Sequence, residues 1–201
     1  GSTLYLQSSN GNISQEHILQ TDAGHTLARD PGPGWIYAVD EFSSMLQRFS
    51  PQSSQVESFG PPLENQSLTL DGEPISHNRN SIFISEHYFG NEVIELRLSD
   101  GQEKHRYLHN NGGGWAATVD DSSALLYVTG MWSLDIFDLR NGEHLERHRT
   151  GFGARAPIIS NMHSQVLIPM TLEGTIRTYN RDTLEEEGIY PVGLGVRNLF
   201  V

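Results

Sequence analysis

A short apolar run returns roughly every forty residues along this chain. The five copies are Leu4-Tyr5-Leu6, Ile36-Tyr37-Ala38-Val39, Ile82-Phe83-Ile84, Leu126-Tyr127-Val128 and Leu167-Ile168-Pro169-Met170. Counted from Tyr5 through Tyr37, Phe83 and Tyr127 to Ile168, the separations are 32, 46, 44 and 41 residues. Each run is too short for a helix and rich in β-branched or aromatic residues, so each reads as a buried strand. A period of this length marks one supersecondary unit, repeated and stacked on its neighbours.

The rest of the unit follows from what surrounds each run. An alternating segment comes next, clearest in Leu134-Asp135-Ile136-Phe137-Asp138-Leu139 and matched by Val93-Ile94-Glu95-Leu96-Arg97-Leu98. Alternation of this kind predicts a strand with one face in and one face out. Asp100-Gly101 and Asn141-Gly142 then supply tight hairpin turns, because such turns need positive φ. A polar strand such as His144-Leu145-Glu146-Arg147 suits an outer edge facing water. Glycine and one further short strand lead into the next run, as in Gly112-Gly113-Gly114 before Trp115-Ala116-Ala117-Thr118-Val119. Four strands in about 40–45 residues is the period of a propeller blade.

The expected fold class is therefore all-β, a β-propeller of five four-stranded blades closed by pairing of the N- and C-terminal strands. The rival is a fragment of a larger six- to eight-bladed ring. Closure is expected because the chain starts on an apolar strand, Thr3-Leu4-Tyr5-Leu6, and ends on an inner-type strand, Asn198-Leu199-Phe200-Val201. The expected division is one domain over 1–201, with 1–2 a cloning scar. Its blades are 196–201 with 3–22, 23–59, 60–111, 112–150 and 151–195.

Charge narrows the partners. The 13 Lys and Arg against 25 Asp and Glu give a formal net charge of −12. A chain this acidic repels nucleic-acid backbone and anionic lipid, and no basic stripe overrides the average. No apolar run approaches the ~18 residues of a membrane span. The expected partner is a protein or small-molecule ligand, with no nucleic acid, no membrane insertion and no cofactor. The absence of cysteine removes thiolate chemistry but leaves the compartment open; a periplasmic or extracellular setting is favoured over the cytosol.

One stretch resembles a known family. Val119-Asp120-Asp121-Ser122, Leu126-Tyr127-Val128-Thr129, Ser133-Leu134-Asp135-Ile136-Phe137-Asp138 and Asn141-Gly142-Glu143 are similar to the YVTN-type propeller repeat. Gly174 to Asp182 follows the same pattern, and the resemblance covers about half the chain, from Gly112 to Val201. It implies architecture. It implies no single activity, because such propellers serve as adhesins, scaffolds, lyases and lactonases.

A propeller places its ligand at a channel mouth, lined by loops entering and leaving inner strands. The candidate ligand-binding residues are His25, Arg29, His77, Arg79, His87, Tyr88, Trp132, Arg155 and Arg197. Four of them, Arg29, Arg79, Arg155 and Arg197, could form an anion-binding ring; each could instead pair with a nearby carboxylate. Trp132, in an exposed-looking turn, is the strongest contact candidate, since Trp is favoured at interface centres. A metal-assisted hydrolase or lyase could use His25, His77 and His87 with Glu86. No metal-ligand spacing, nucleophile elbow, P-loop or dinucleotide fingerprint is present, so the expected reading is a non-catalytic binding module with no metal site.

Overall fold

The computed structural model describes residues 3–7, 13–18, 27–30, 32, 34–39, 44–63, 67–88, 90–110 and 112–196. All of its regular structure is β. A hairpin, β1 (Thr3–Gln7) with β2 (Ile13–Ile18), comes first. Then come β3 (Leu27–Arg29), β4 (Ile36–Val39), β5 (Leu46–Ser50) and β6 (Gln55–Ser58), paired in that order as one antiparallel sheet.

The next sheet uses β7 (Leu68–Thr69), β8 (Ile75–Ser76), β9 (Ser81–Glu86), β10 (Glu92–Arg97) and β11 (Glu103–Leu108). Both β7 and β8 pair with β9, so two short pieces share the place of one inner strand. Two regular four-stranded sheets follow. One is β12 (Gly114–Asp120), β13 (Leu125–Gly130), β14 (Ser133–Asp138) and β15 (His144–Arg149). The other is β16 (Ile158–Ser160), β17 (Gln165–Met170), β18 (Thr175–Asn180) and β19 (Glu186–Pro191).

The cores lie between consecutive sheets. Tyr37, Val39 and Leu46 meet Leu68, Ile82, Ile84 and Ile94 in the first. Phe83, Val93 and Tyr107 meet Ala117, Leu126, Val128 and Phe137 in the second. Leu125, Tyr127 and Ile136 meet Val166, Ile168, Met170 and Tyr179 in the third. Strand β13 shows the consequence of period-two side chains. Leu126 and Val128 point to the preceding sheet and Tyr127 to the following one, and all three are fully buried.

This corrects one expectation. The alternating strands β10 and β14 do not show one face to water. Glu95 and Asp135, at the supposed outward positions, are 0% exposed. Stacked sheets cover both faces, so each carboxylate sits inside a junction and is paired there. Glu95 accepts from Arg79 Nε at 3.1 Å, Ser81 Oγ at 2.6 Å and Tyr107 OH at 2.9 Å, with Lys104 Nζ at 3.0 Å. Asp135 accepts from Arg147 Nε at 2.8 Å and Ser133 Oγ at 2.9 Å, and His144 Nε2 lies 2.7 Å away.

Polar ties cross the junctions as well. Arg48 donates to the Leu98 carbonyl at 3.2 Å and Arg79 to that of Leu139. Arg147 reaches the His109 carbonyl, and Arg181 grips both oxygens of Asp120. The break between β7 and β8 is also used. Asp71 and Glu73 offer their carbonyls to the amides of Ala117 and Val119, each at 3.0 Å, joining this segment to β12. The expected closure between the terminal strands involves residues 197–201 and lies outside the described residues.

Candidate functional site

Strand direction gives the stacked sheets two ends. At the entry end each first strand begins, and the second and third strands connect. The β9–β10 loop, the start of β12, the Met131-Trp132 turn and the segment leading into β16 are all there. At the exit end lie the turns from first to second strand, including Asp30–Trp35, His77–Asn80 and Asp121–Ala124.

The candidates divide between these ends. Arg29, His77 and Arg79 are at the exit end. His77 Nε2 lies 3.3 Å from the buried carboxylate of Asp30, and its amide donates to Asp121 Oδ2 at 3.0 Å. Arg79 is held by Glu95 and the Leu139 carbonyl. Arg29 is exposed and lines a cavity of about 520 Å³ with Glu73 and His77. His87, Tyr88, Trp132 and Arg155 are at the entry end. His25 and Arg197 lie outside the described residues. The two histidines His77 and His87 are separated by the length of β9, roughly 17 Å of strand, and cannot share one metal ion. Glu86 is also occupied, with Oε2 accepting from the amides of Asn91 and Glu92 at 3.0 and 3.2 Å. Among the described residues no three His, Asp or Glu side chains converge to hold a metal.

The entry-end candidates form one continuous array through two further residues. Trp115, in the inner-strand segment that follows the glycine run, is at its centre. The His87 ring meets it edge-on at 5.4 Å between centroids and stacks on Tyr88 at 4.1 Å. Arg155 lies over the Trp115 indole at 5.0 Å. Phe152, which carried no sequence signal, touches Trp115 at 6.5 Å and Trp132 at 5.1 Å. Three members face water: Trp132 is 50% exposed, Tyr88 45% and Phe152 39%. Trp35, by contrast, sits at the exit end, packed on the first core beneath Arg48 at 4.6 Å.

Backbone geometry fixes this array. Gly113 has φ +126°, and a Cβ built there would overlap the Tyr88 carbonyl oxygen. The β9–β10 loop can therefore lie against the start of β12 only because no side chain intervenes. That contact delivers His87 to Trp115. Arg155 is anchored from the other side, its amide donating to the Pro169 carbonyl at 2.9 Å and its Nε to Thr171 Oγ1 at 3.0 Å.

Two grooves border the array. One of about 740 Å³ is lined by His87, Tyr88, Arg106, Leu108 and Asn110. The other, about 560 Å³, is lined by Asn110, Gly112, Trp132, Arg147 and Arg149. They meet at Asn110 and make one trough across the junction between two sheets. His109, between the groove-lining Leu108 and Asn110 in sequence, is itself fully buried. Burial pushes this imidazole down to about 4, so it is neutral at physiological pH.

No family model matches the chain, and no curated protein matches it. Solved structures do. A hydrazine synthase chain from Kuenenia stuttgartiensis superposes with TM-score 0.73 at 11% identity, over 91% of this chain and 53% of that one. A chain of a nidogen/laminin complex superposes with TM-score 0.70 at 10% identity, over 91% of this chain and 69% of that one. The chain has the architecture of a β-propeller. It spans about half the length of the hydrazine synthase chain. In all, 1133 solved chains share the likeness, so this propeller scaffold is widely reused and carries no activity by itself.

Proposed function

We propose that this propeller is a non-catalytic binding module that takes a protein or small ligand on its entry end. The observation that carries the reading is the array Tyr88–His87–Trp115–Phe152–Trp132, capped by Arg155, with three of its rings facing water. Exposed aromatics supported by a rigid scaffold are what interface centres use. Two large grooves beside them give a ligand somewhere to sit. The two solved structures cover both an enzyme and a complex of two proteins; the exposed rings at this end favour binding. We assign the blades from Gly112 onward to the YVTN-type repeat on their motif, place the protein in the periplasm or outside the cell, and take the ring to close by pairing of its terminal strands into a fifth blade.

A thermal-shift screen of metabolites and short peptides tests the function. Ligands that raise Tm should lose their effect in Trp132→Ala and Phe152→Ala, while Arg29→Ala at the exit end keeps it. Ligands whose effect survives both aromatic substitutions and disappears with Arg29→Ala would place the site at the other end.

A further inference from the structure

Positive charge on this protein is almost entirely used up inside it. Nine of the twelve described basic residues, among them Arg79, Arg106, Arg147 and Arg181, form ion pairs with carboxylates. Arg155 is stacked on Trp115. Only Arg29 and Arg149 make neither an ion pair nor such a stack among the described residues. Arg149 is exposed and lines the groove that Trp132 borders, next to Arg147. In a chain of net charge −12, an unpaired guanidinium beside an exposed indole is a local reversal of sign.

We infer that the trough receives an extended, acidic segment of a partner protein, with an aromatic or other large apolar residue seated on Trp132 and Phe152 and a carboxylate on Arg149. The inference rests on the binding reading above and names the partner's chemistry. Three features select this occupant. The trough is long, since the two grooves join at Asn110 and cross from one sheet to the next. Its apolar contacts, Tyr88, Leu108 and Trp132, are spread over the two grooves and not gathered into one enclosed cavity, with Phe152 packed against Trp132, which suits a chain presenting successive side chains. Among the described residues its one unpaired cation is the Arg149 guanidinium, whose planar fork fits a carboxylate in two-point contact, whereas the Glu86 and Glu92 carboxylates of the other groove are already held by backbone amides and by Arg106. An acidic ligand is otherwise disfavoured by the net charge, so the position of Arg149 would set the register.

Fluorescence anisotropy with synthetic peptides tests this on the full chain. Each fluorescein-labelled octapeptide carries one aromatic residue and two glutamates at varied separation in a Gly/Ser background; a matched set carries glutamine. Members of the glutamate set should bind saturably, at least about tenfold tighter than their glutamine counterparts, and R149Q should erase that difference. R149E should reject glutamate peptides and accept lysine ones. Equal binding of both sets, or unchanged selectivity in R149Q, overturns the acidic partner. If W132A alone then abolishes binding, the binding face survives and only its charge preference falls. Failure of every peptide in both sets overturns the peptide partner.

Discussion

Arg155 lies over the indole of Trp115, 5.0 Å from the ring centroid, and it gets there from a different sheet. Trp115 is the second residue of β12, whereas Arg155 belongs to the segment entering β16. The pair is therefore a clamp between neighbouring sheets at the entry end. A stacked guanidinium contributes about 0.5–2 kcal/mol depending on desolvation. Arg155→Gln should lower stability by about 1 kcal/mol and change the emission of Trp115, with Arg155→Lys intermediate. Denaturant titration followed by tryptophan fluorescence measures both.

The glycine run before β12 holds unequal positions. At Gly113 any Cβ overlaps the Tyr88 carbonyl, whereas at Gly112 (φ +73°) nothing lies within 4 Å. Gly113→Ala should cost more than about 2 kcal/mol and displace His87 from Trp115. Gly112→Ala should cost only the backbone strain, about 1 kcal/mol. Comparing the two melting curves separates steric contact from conformational preference.

Much of the architecture was readable because the repeat is long and the apolar runs are strong. Tyr37, Phe83, Tyr127 and Ile168 all occupy second strands of their sheets. The polar half of the pattern was misleading. Glu95 and Asp135 look like solvent-facing positions in a local window, yet stacking buries both. Their partners come partly from turns and outer strands 9 to 16 residues away, and nothing local signals a buried ion pair. Asp120 reads as a turn former, and it does accept from the amides of Ser122 and Ser123. Its bond to Arg181, 61 residues on, depends on how two sheets stack. At the site, His87, Tyr88, Trp132 and Arg155 were marked as candidates by their loops. Phe152 was not, because an isolated Phe after a glycine has no pattern to betray it.

Acid should destabilise this protein in two stages. Burial holds His109 well below its ordinary 6.5, at about 4. The unfolded chain takes up that proton first, so stability present above pH 6.5 declines as pH falls toward 4. Burial alone would raise the Glu95 carboxyl, but hydrogen bonds from Arg79, Ser81, Lys104 and Tyr107 outweigh it and lower it from 4.5 to about 2. Asp120 is likewise raised by burial but brought down from 3.8 to about 2 by Arg181, Ser123 and Ser122. Their stabilisation is complete above pH 4.5 and lost as pH falls toward 2. Acidification through these ranges should remove on the order of 3 kcal/mol of stability at each of His109 and Glu95. Urea denaturation across pH 2–8 should show both stages, and His109→Gln should remove the first alone.

The Asp120–Arg181 pair ties the last two sheets together. Removing only Arg181 leaves a nearly buried carboxylate without its counter-charge, so Arg181→Ala should cost about 3 kcal/mol. Adding Asp120→Asn to that variant should recover part of the loss. A double-mutant cycle by chemical denaturation should give a coupling of at least about 1 kcal/mol.

Fluorine NMR tests the central claim most directly. The three tryptophans report on both ends, since Trp115 and Trp132 are in the array and Trp35 is at the opposite end. Protein labelled with 5-fluorotryptophan and titrated with a fragment and short-peptide panel should show ligands that shift the Trp115 and Trp132 resonances together and leave Trp35 still. Ligands that move Trp35 while the other two stay fixed would contradict the account.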